Sequence, residues 1–308
     1  MSYPDFIGIG AMRSGTTWLT TQLRHHPEIW MPPIKELHYF DSFERSIGNG
    51  SLEKLSFSKT AHQRKKSVLR CLIGNSSDHG GEDLEWRRLL RDRASVLWHA
   101  GFHIRFLFGQ RNDDWYEKCF APGAGQIAGE IDPNYGPLHA NTVAHIRDLM
   151  PDLRIIFMVR DPIERAWSHF LKKLRDTNRT LESVSEEECL AHFGSNFSLS
   201  RGSYSSILST WSEYYPPEQI CVGYYEEIIE SPEDLLLRIF QFLNVEASSK
   251  HISDKIHDRY NSSTKSRQIP PHLERHLAET YRDEVEHMAA KVGGHAYKWL
   301  NRVEELLV

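Results

Sequence analysis

The sequence predicts an α/β fold, a mostly parallel sheet flanked by helices, and three observations carry the prediction. Apolar β-type runs occur at Phe6 to Ile9, Ile155 to Val159 and Ile220 to Tyr225. Each run is followed by a helix start, and strands alternating with amphipathic helices imply parallel pairing with helices on both faces. The first run also enters a glycine-bearing turn, FIGIGAMRSGTTWL, of the phosphate-loop (P-loop) type. In such sheets ligands bind at the carboxyl ends of the strands.

The first strand leads into TTWLTTQLRHHP, which Pro27 closes because proline cannot continue a helix. After the second, Asp161 reads as N-cap, Pro162 as first helical residue and Glu164 as capping-box acid, opening ERAWSHFLKKL. After the third, Ser231-Pro232 opens PEDLLLRIFQFL in the same way. Between residues 43 and 125 the alternation stops: SIGNGS, KTAHQRKK and NSSDHGGED read as loops around a helical stretch near Trp86 to Trp98. This region is expected to be a largely helical insertion in a single domain, residues 1–308, either shaping an acceptor site or serving as a packing subdomain. GSNFSLSRGSY and RYNSSTKSRQIPP read as polar loops, and HLERHLAETYRDEVEHMAAKVG as a closing helix.

With 308 residues, 40% hydrophobic and 26% charged, the chain can bury one large core. Lys+Arg 37 against Asp+Glu 42 gives a net charge of -5, so nothing global points to nucleic acid, and any anion site must be local. Cys71, Cys119, Cys189 and Cys221 stand singly with no C-x-x-C pair, which argues for a reducing compartment and against a disulfide framework or zinc. No basic and apolar leader pattern and no 18-residue apolar window occurs, so the expectation is a cytoplasmic protein without a membrane span.

The strict phosphate loop is G-x-x-x-x-G-K-[ST], whereas from Gly10 this chain reads GAMRSGTT, with Thr16 at the lysine position. Backbone N–H groups at a helix N-terminus still make an anion cradle. Gly10 and Gly15 allow close approach, and Thr16 and Thr17 add hydroxyls. The cation, Arg13, sits three residues earlier, and no acidic run suited to Mg²⁺ follows, so a phosphate with a second oxyanion fits better than ATP with metal. The plain alternative is a turn that joins strand to helix. Downstream, KELHYFD places Glu36 and His38 two apart, on one face if extended, where a carboxylate beside an imidazole suits general-base chemistry. The plain alternative there is a solvated surface pair. Arg160 ends the IIFMV run, with Ser168 on the helix beyond, a pair suited to gripping a phosphate unless Arg160 merely pairs with Asp161 or caps a helix.

Together these motifs resemble the sulfotransferases that use 3′-phosphoadenosine 5′-phosphosulfate (PAPS). RSGTTWL is similar to that family's 5′-phosphosulfate loop, VRDPIERAWSHF to its 3′-phosphate motif, and KELHYFD to the K-E-x-H-F-F-D segment of the carbohydrate-directed, heparan sulfate-like and bacterial branch. The resemblance continues through GEIDPNY, RGSYSSIL, WSEYYP and NSSTKSRQIPP, and leaves out residues 43–125. It implies that Arg13, Ser14, Gly15, Thr16 and Thr17 cradle the 5′-phosphosulfate and that Arg160 and Ser168 hold the 3′-phosphate. Lys265, Ser266 and Arg267 would close over the nucleotide and Tyr204 would approach the adenosine. Glu36 would be the catalytic base, His38 would orient base or acceptor, and Arg13 would stabilise the leaving adenosine 3′,5′-bisphosphate. No metal is implied, in keeping with 17 scattered histidines. Two residues depart from the pattern. Most members carry Lys at the Arg13 position, though tyrosylprotein sulfotransferases have R-S-G-T-T. The heparan sulfate 3-O enzymes have E-K-x-P-x-Y where this chain has Ile131 after Glu130, which weakens the case for a heavily sulfated polysaccharide acceptor. The expected acceptor is a carbohydrate or small metabolite. The competing functions are a P-loop phosphotransferase using ATP and a non-catalytic nucleotide- or glycan-binding protein.

Overall fold

The computed structural model describes residues 2–48, 93–258 and 268–308. KTAHQRKK, NSSDHGGED, Trp86, Cys71 and the triplet Lys265, Ser266 and Arg267 lie outside the described residues. Those described form a parallel sheet of β1 (Phe6–Gly10), β2 (Ile29–Trp30), β3 (Ile127–Ile131), β4 (Arg154–Val159) and β5 (Ile220–Tyr224) in the order β2-β3-β1-β4-β5. Around it lie α1 (Thr16–His25), α2 (Phe40–Gly48), α3 (Arg93–Phe108), α4 (Asp113–Glu117), α5 (Ala140–Leu149), α6 (Pro162–Asp176) and α7 (Glu186–Phe193). The chain continues through α8 (Asn196–Ser200), α9 (Tyr204–Ser212), α10 (Tyr225–Glu230), α11 (Pro232–Leu243), α12 (Pro271–Lys291) and α13 (Ala296–Leu307).

β1 is central, with Ile7 level with Glu130 on one side and Ile155 on the other. Because side chains alternate across a strand, each run feeds two cores. Ile7, Ile9, Ile155 and Phe157 pack on one face with Phe170, Trp211 and Leu277, while Phe6, Ile131, Ile156 and Met158 pack on the other with Trp18, Leu23, Leu236 and Phe240. Each fully buried Ile, Leu or Phe stabilises by about 1.5–3 kcal/mol, so the sheet is a rigid base for the loops at its carboxyl edge.

Several elements differ from the sequence reading. β2 and β3 were not among the expected strands: β2 has two residues, and β3, IAGEI, interrupts its apolar run with Gly129 and a buried Glu130. SIGNGS begins inside α2 rather than in a loop, and GSNFSLSRGSY contains α8, whose N-cap Ser195 accepts from Ser198 N. The closing helix is two helices, α12 and α13, parted where Gly293 and Gly294 take φ of 73° and 60°. At α6, Asp161 caps Ile163 N at 2.9 Å as expected, but Glu164 turns its carboxylate to Arg160 and Arg302 instead of back to the cap.

Candidate active site

The turn after β1 is shaped by left-handed backbone at Arg13 (φ 74°) and Gly15 (φ 84°). The left-handed conformation favours glycine at position 15, and a Cβ there would stand 2.3 Å from Ile228 Cδ1, so the Ile228 side chain on α10 would have to shift. Gly15 caps α1 without a side-chain hydrogen bond, and the first turn of α1 holds no acidic residue. The N–H groups and dipole of that helix end meet no carboxylate from the helix's own first turn, an arrangement suited to an anion.

Arg13 Nε donates to Ser168 Oγ at 3.0 Å, joining the turn to α6 across 155 residues of sequence. Burial lowers the Arg13 pKa, and Arg175 and Arg160 lower it further. Arg13 thus stands where other cations are felt. Arg160 lies over the Tyr225 ring at 4.5 Å and pairs with Glu164 at 3.1 Å, while Arg302 from α13 takes Asp161 at 2.6 Å and the other Glu164 oxygen at 3.1 Å. The ion pair weighed for Arg160 thus exists, with Glu164 in place of Asp161. Tyr204 is fully buried, and its hydroxyl donates to the Arg160 carbonyl at 2.9 Å, so the structure puts it beneath Arg160. Ser14 is also fully buried, and Thr16 and Thr17 open α1.

The sequence reading passed over Lys35. Its Nζ lies 3.2 Å from Thr17 Oγ1, 3.4 Å from Thr16 Oγ1 and 3.2 Å from Glu36 Oε1. The ammonium absent from the loop is therefore supplied from another segment, between the two threonines and the carboxylate. The available signal was the adjacency of Lys35 to Glu36 in KELHYFD together with the threonine at the loop's lysine position.

Glu36 and His38 do meet, Oε2 to Nε2 at 3.8 Å, but not because the segment is extended: their φ values are 63° and 54°, and Leu37 between them is buried. His38 Nδ1 faces Asp41 Oδ2 and the buried Asp132 Oδ2, each at 3.3 Å. Burial alone would lower the His38 pKa, but Asp132, Asp41 and Glu36 together raise it to about 9. His38 is then an imidazolium at neutral pH. Asn134 completes this end, its Nδ2 donating to Asp132 Oδ1 at 2.9 Å and its Oδ1 accepting from Arg201 at 3.1 Å. Glu36, His38 and Asp132 offer ligand atoms within 4.8 Å of one another. A divalent ion there would have to displace the His38 proton that the three carboxylates favour.

A family model described as the Sulfotransferase family matches residues 4–249. The chain is 24% identical over 278 residues to the membrane-associated sulfotransferase kil1 of Dictyostelium discoideum, covering 79% of this chain and spanning only 56% of that protein's length. A sulfotransferase from Alicyclobacillus acidocaldarius shares the fold at a TM-score of 0.64 and 22% identity, covering 97% of this chain and 99% of that one. Mouse sulfotransferase SULT7A1, solved with PAP, shares it at a TM-score of 0.51 and 13% identity, covering 98% and 91%. No described helix is long and apolar enough to cross a membrane. With the family model matching most of its length, this chain belongs to the sulfotransferase family.

Proposed function

We infer that the chain transfers a sulfuryl group from PAPS to a hydroxyl, or secondarily an amine, of a carbohydrate or small-metabolite acceptor. The observation that carries this reading is the Lys35 bridge, in which one ammonium touches both threonines of the anion cradle and the carboxylate beside it. Threonines and carboxylate lie within one side chain's reach, which supports reading them as anion site and base.

The electropositive turn suits PAPS, which supplies a sulfuryl group already activated as a phosphosulfate anhydride, so the reading assigns no metal. Arg13, Ser14, Gly15, Thr16 and Thr17 would hold its 5′ end, and Arg160 and Ser168 its 3′-phosphate, with Tyr204 supporting Arg160 from below. Glu36 would take the acceptor proton as the acceptor oxygen bonds to sulfur and the bond from sulfur to the 5′-phosphate oxygen breaks. Negative charge then grows on that oxygen, where Arg13 and Lys35 are worth most. His38, held protonated by Asp132 and Asp41, would orient Glu36 or the acceptor. Lys265, Ser266 and Arg267 stay in the proposal as a cover for the nucleotide.

Glu36→Gln tests the assignment: turnover of PAPS should fall by roughly 10²-fold or more with the affinity for adenosine 3′,5′-bisphosphate kept. Unchanged turnover removes Glu36 as base. A cytoplasmic location belongs to the same reading and is supported by the buried free cysteines Cys119, Cys189 and Cys221. Cell fractionation that finds the chain on membranes would set it aside in favour of the kind of association named in the Dictyostelium relative.

A further inference from the structure

We propose that Glu130 is a positioning residue for the base, acting with Asp132 and Tyr135 through the backbone of the Lys35–Tyr39 turn; this rests on Glu36 being the base. Three successive N–H groups of that turn are taken by three side chains from β3 and the bend after it. Leu37 N donates to Glu130 Oε2 at 3.2 Å, His38 N to Asp132 Oδ2 at 2.9 Å and Tyr39 N to the Tyr135 hydroxyl at 3.0 Å. The turn needs such a latch because Glu36 and His38, neither of them glycine, both hold left-handed backbone. Conformations of this kind persist only where the surroundings over-determine them.

The hydrogen-bond directions form one connected set. The Tyr135 hydroxyl accepts from Tyr39 N and donates to Glu130 Oε1 at 3.1 Å, and Tyr116 donates to the same oxygen at 2.6 Å. Glu130 therefore faces three donors and no acceptor, the pattern of a carboxylate. It is 1% exposed, and no Lys or Arg among the described residues pairs with it. Burial, with Asp132 adding to it, raises its pKa, and the hydrogen bonds from Tyr116, Leu37 N and Tyr135 act against that rise by favouring the carboxylate. A buried carboxylate held only by neutral donors is a costly way to fill a core position, and an apolar side chain would stabilise the sheet more. Its placement makes sense through what it holds. With Leu37 N–H fixed, Glu36 on one side of Leu37 and His38 on the other can turn toward Lys35 and Asp132.

Glu130→Gln keeps size and shape but puts an amide N–H₂ among the donors, so one of the three loses its acceptor. Expected are faster hydrogen exchange at the amides of residues 37–39, a melting temperature equal to or above that of the wild type, and an unchanged Kd for adenosine 3′,5′-bisphosphate. Turnover of sulfur-labelled PAPS, with a fixed mixture of neutral and acidic sugars as acceptor, should fall by about tenfold or more. If Glu130→Gln does not fold, Tyr135→Phe, which removes the latch on Tyr39 and one donor to Glu130, decides by the same readouts. Unchanged amide exchange overturns the proposal, and so does a parallel loss of melting temperature, nucleotide affinity and turnover, which would make Glu130 a structural residue. A wild type that binds the bisphosphate but transfers nothing from PAPS refutes the base assignment instead, and the amide exchange still reports the latch.

Discussion

Replacing Lys35 with Met probes the link between the anion cradle and the base. The substitution keeps the length and apolar stem of the side chain and deletes the ammonium 3.2 Å from both Thr17 Oγ1 and Glu36 Oε1. At that separation the bare attraction to one unit charge is about 5 kcal/mol at an effective dielectric of 20. Lys35 and Glu36 keep side-chain exposures of 21% and 33%, so solvent screens the pair and much of that figure is lost in the resting protein. What remains is the value of a hydrogen bond to a charged group, about 1.5–3 kcal/mol. Spent where charge grows in the transition state, this amounts to roughly a 10- to 150-fold loss of turnover. Calorimetric titration with adenosine 3′,5′-bisphosphate, whose 5′-phosphate carries the leaving-group charge in full, should show a weakened affinity as well. A Lys35→Met variant with wild-type turnover would refute the role.

Arg160→Ala should weaken binding of adenosine 3′,5′-bisphosphate by ~1.5–3 kcal/mol, the scale of a charge-assisted contact, and equal affinity in the titration would remove Arg160 from the 3′-phosphate. Stability should fall as pH rises from about 6.5 to about 9. His38, raised from 6.5 to about 9 by its carboxylates, stabilises the fold below its unfolded pKa, and that contribution is lost as pH passes the folded value. Denaturant midpoints at pH 7, 8 and 9, above the range in which His169 and His192, lowered by burial, act with the opposite sign, check this, and a midpoint that rises with pH there would contradict it.

Features that depend on local chemistry were readable from the sequence. Val159, Asp161 and Pro162 announce a strand, a cap and a helix within a few residues, and Gly15 announces the tight turn that leads into α1. β3 was hidden because Glu130 looks like a surface residue until Tyr116 and Tyr135 are seen to close over it, contacts that depend on tertiary packing. Glu36 and His38 were rightly expected to meet, but through period-two geometry, whereas left-handed backbone fixed from β3 brings them together. Lys35 was overlooked for the same reason, since only that turn carries it back over the start of α1. Arg302 reaches Asp161 across 141 residues, a contact no local pattern foretells.

The central claim is that the cradle at Arg13 to Thr17 delivers a sulfuryl group to an acceptor beside Glu36. It is tested most directly by incubating the purified protein with sulfur-labelled PAPS and a panel of sugars and small hydroxylated metabolites, with γ-labelled ATP and Mg²⁺ in parallel. The account predicts label on an acceptor from PAPS, release of adenosine 3′,5′-bisphosphate in equal amount and no transfer from ATP. Transfer from ATP with none from PAPS would contradict it.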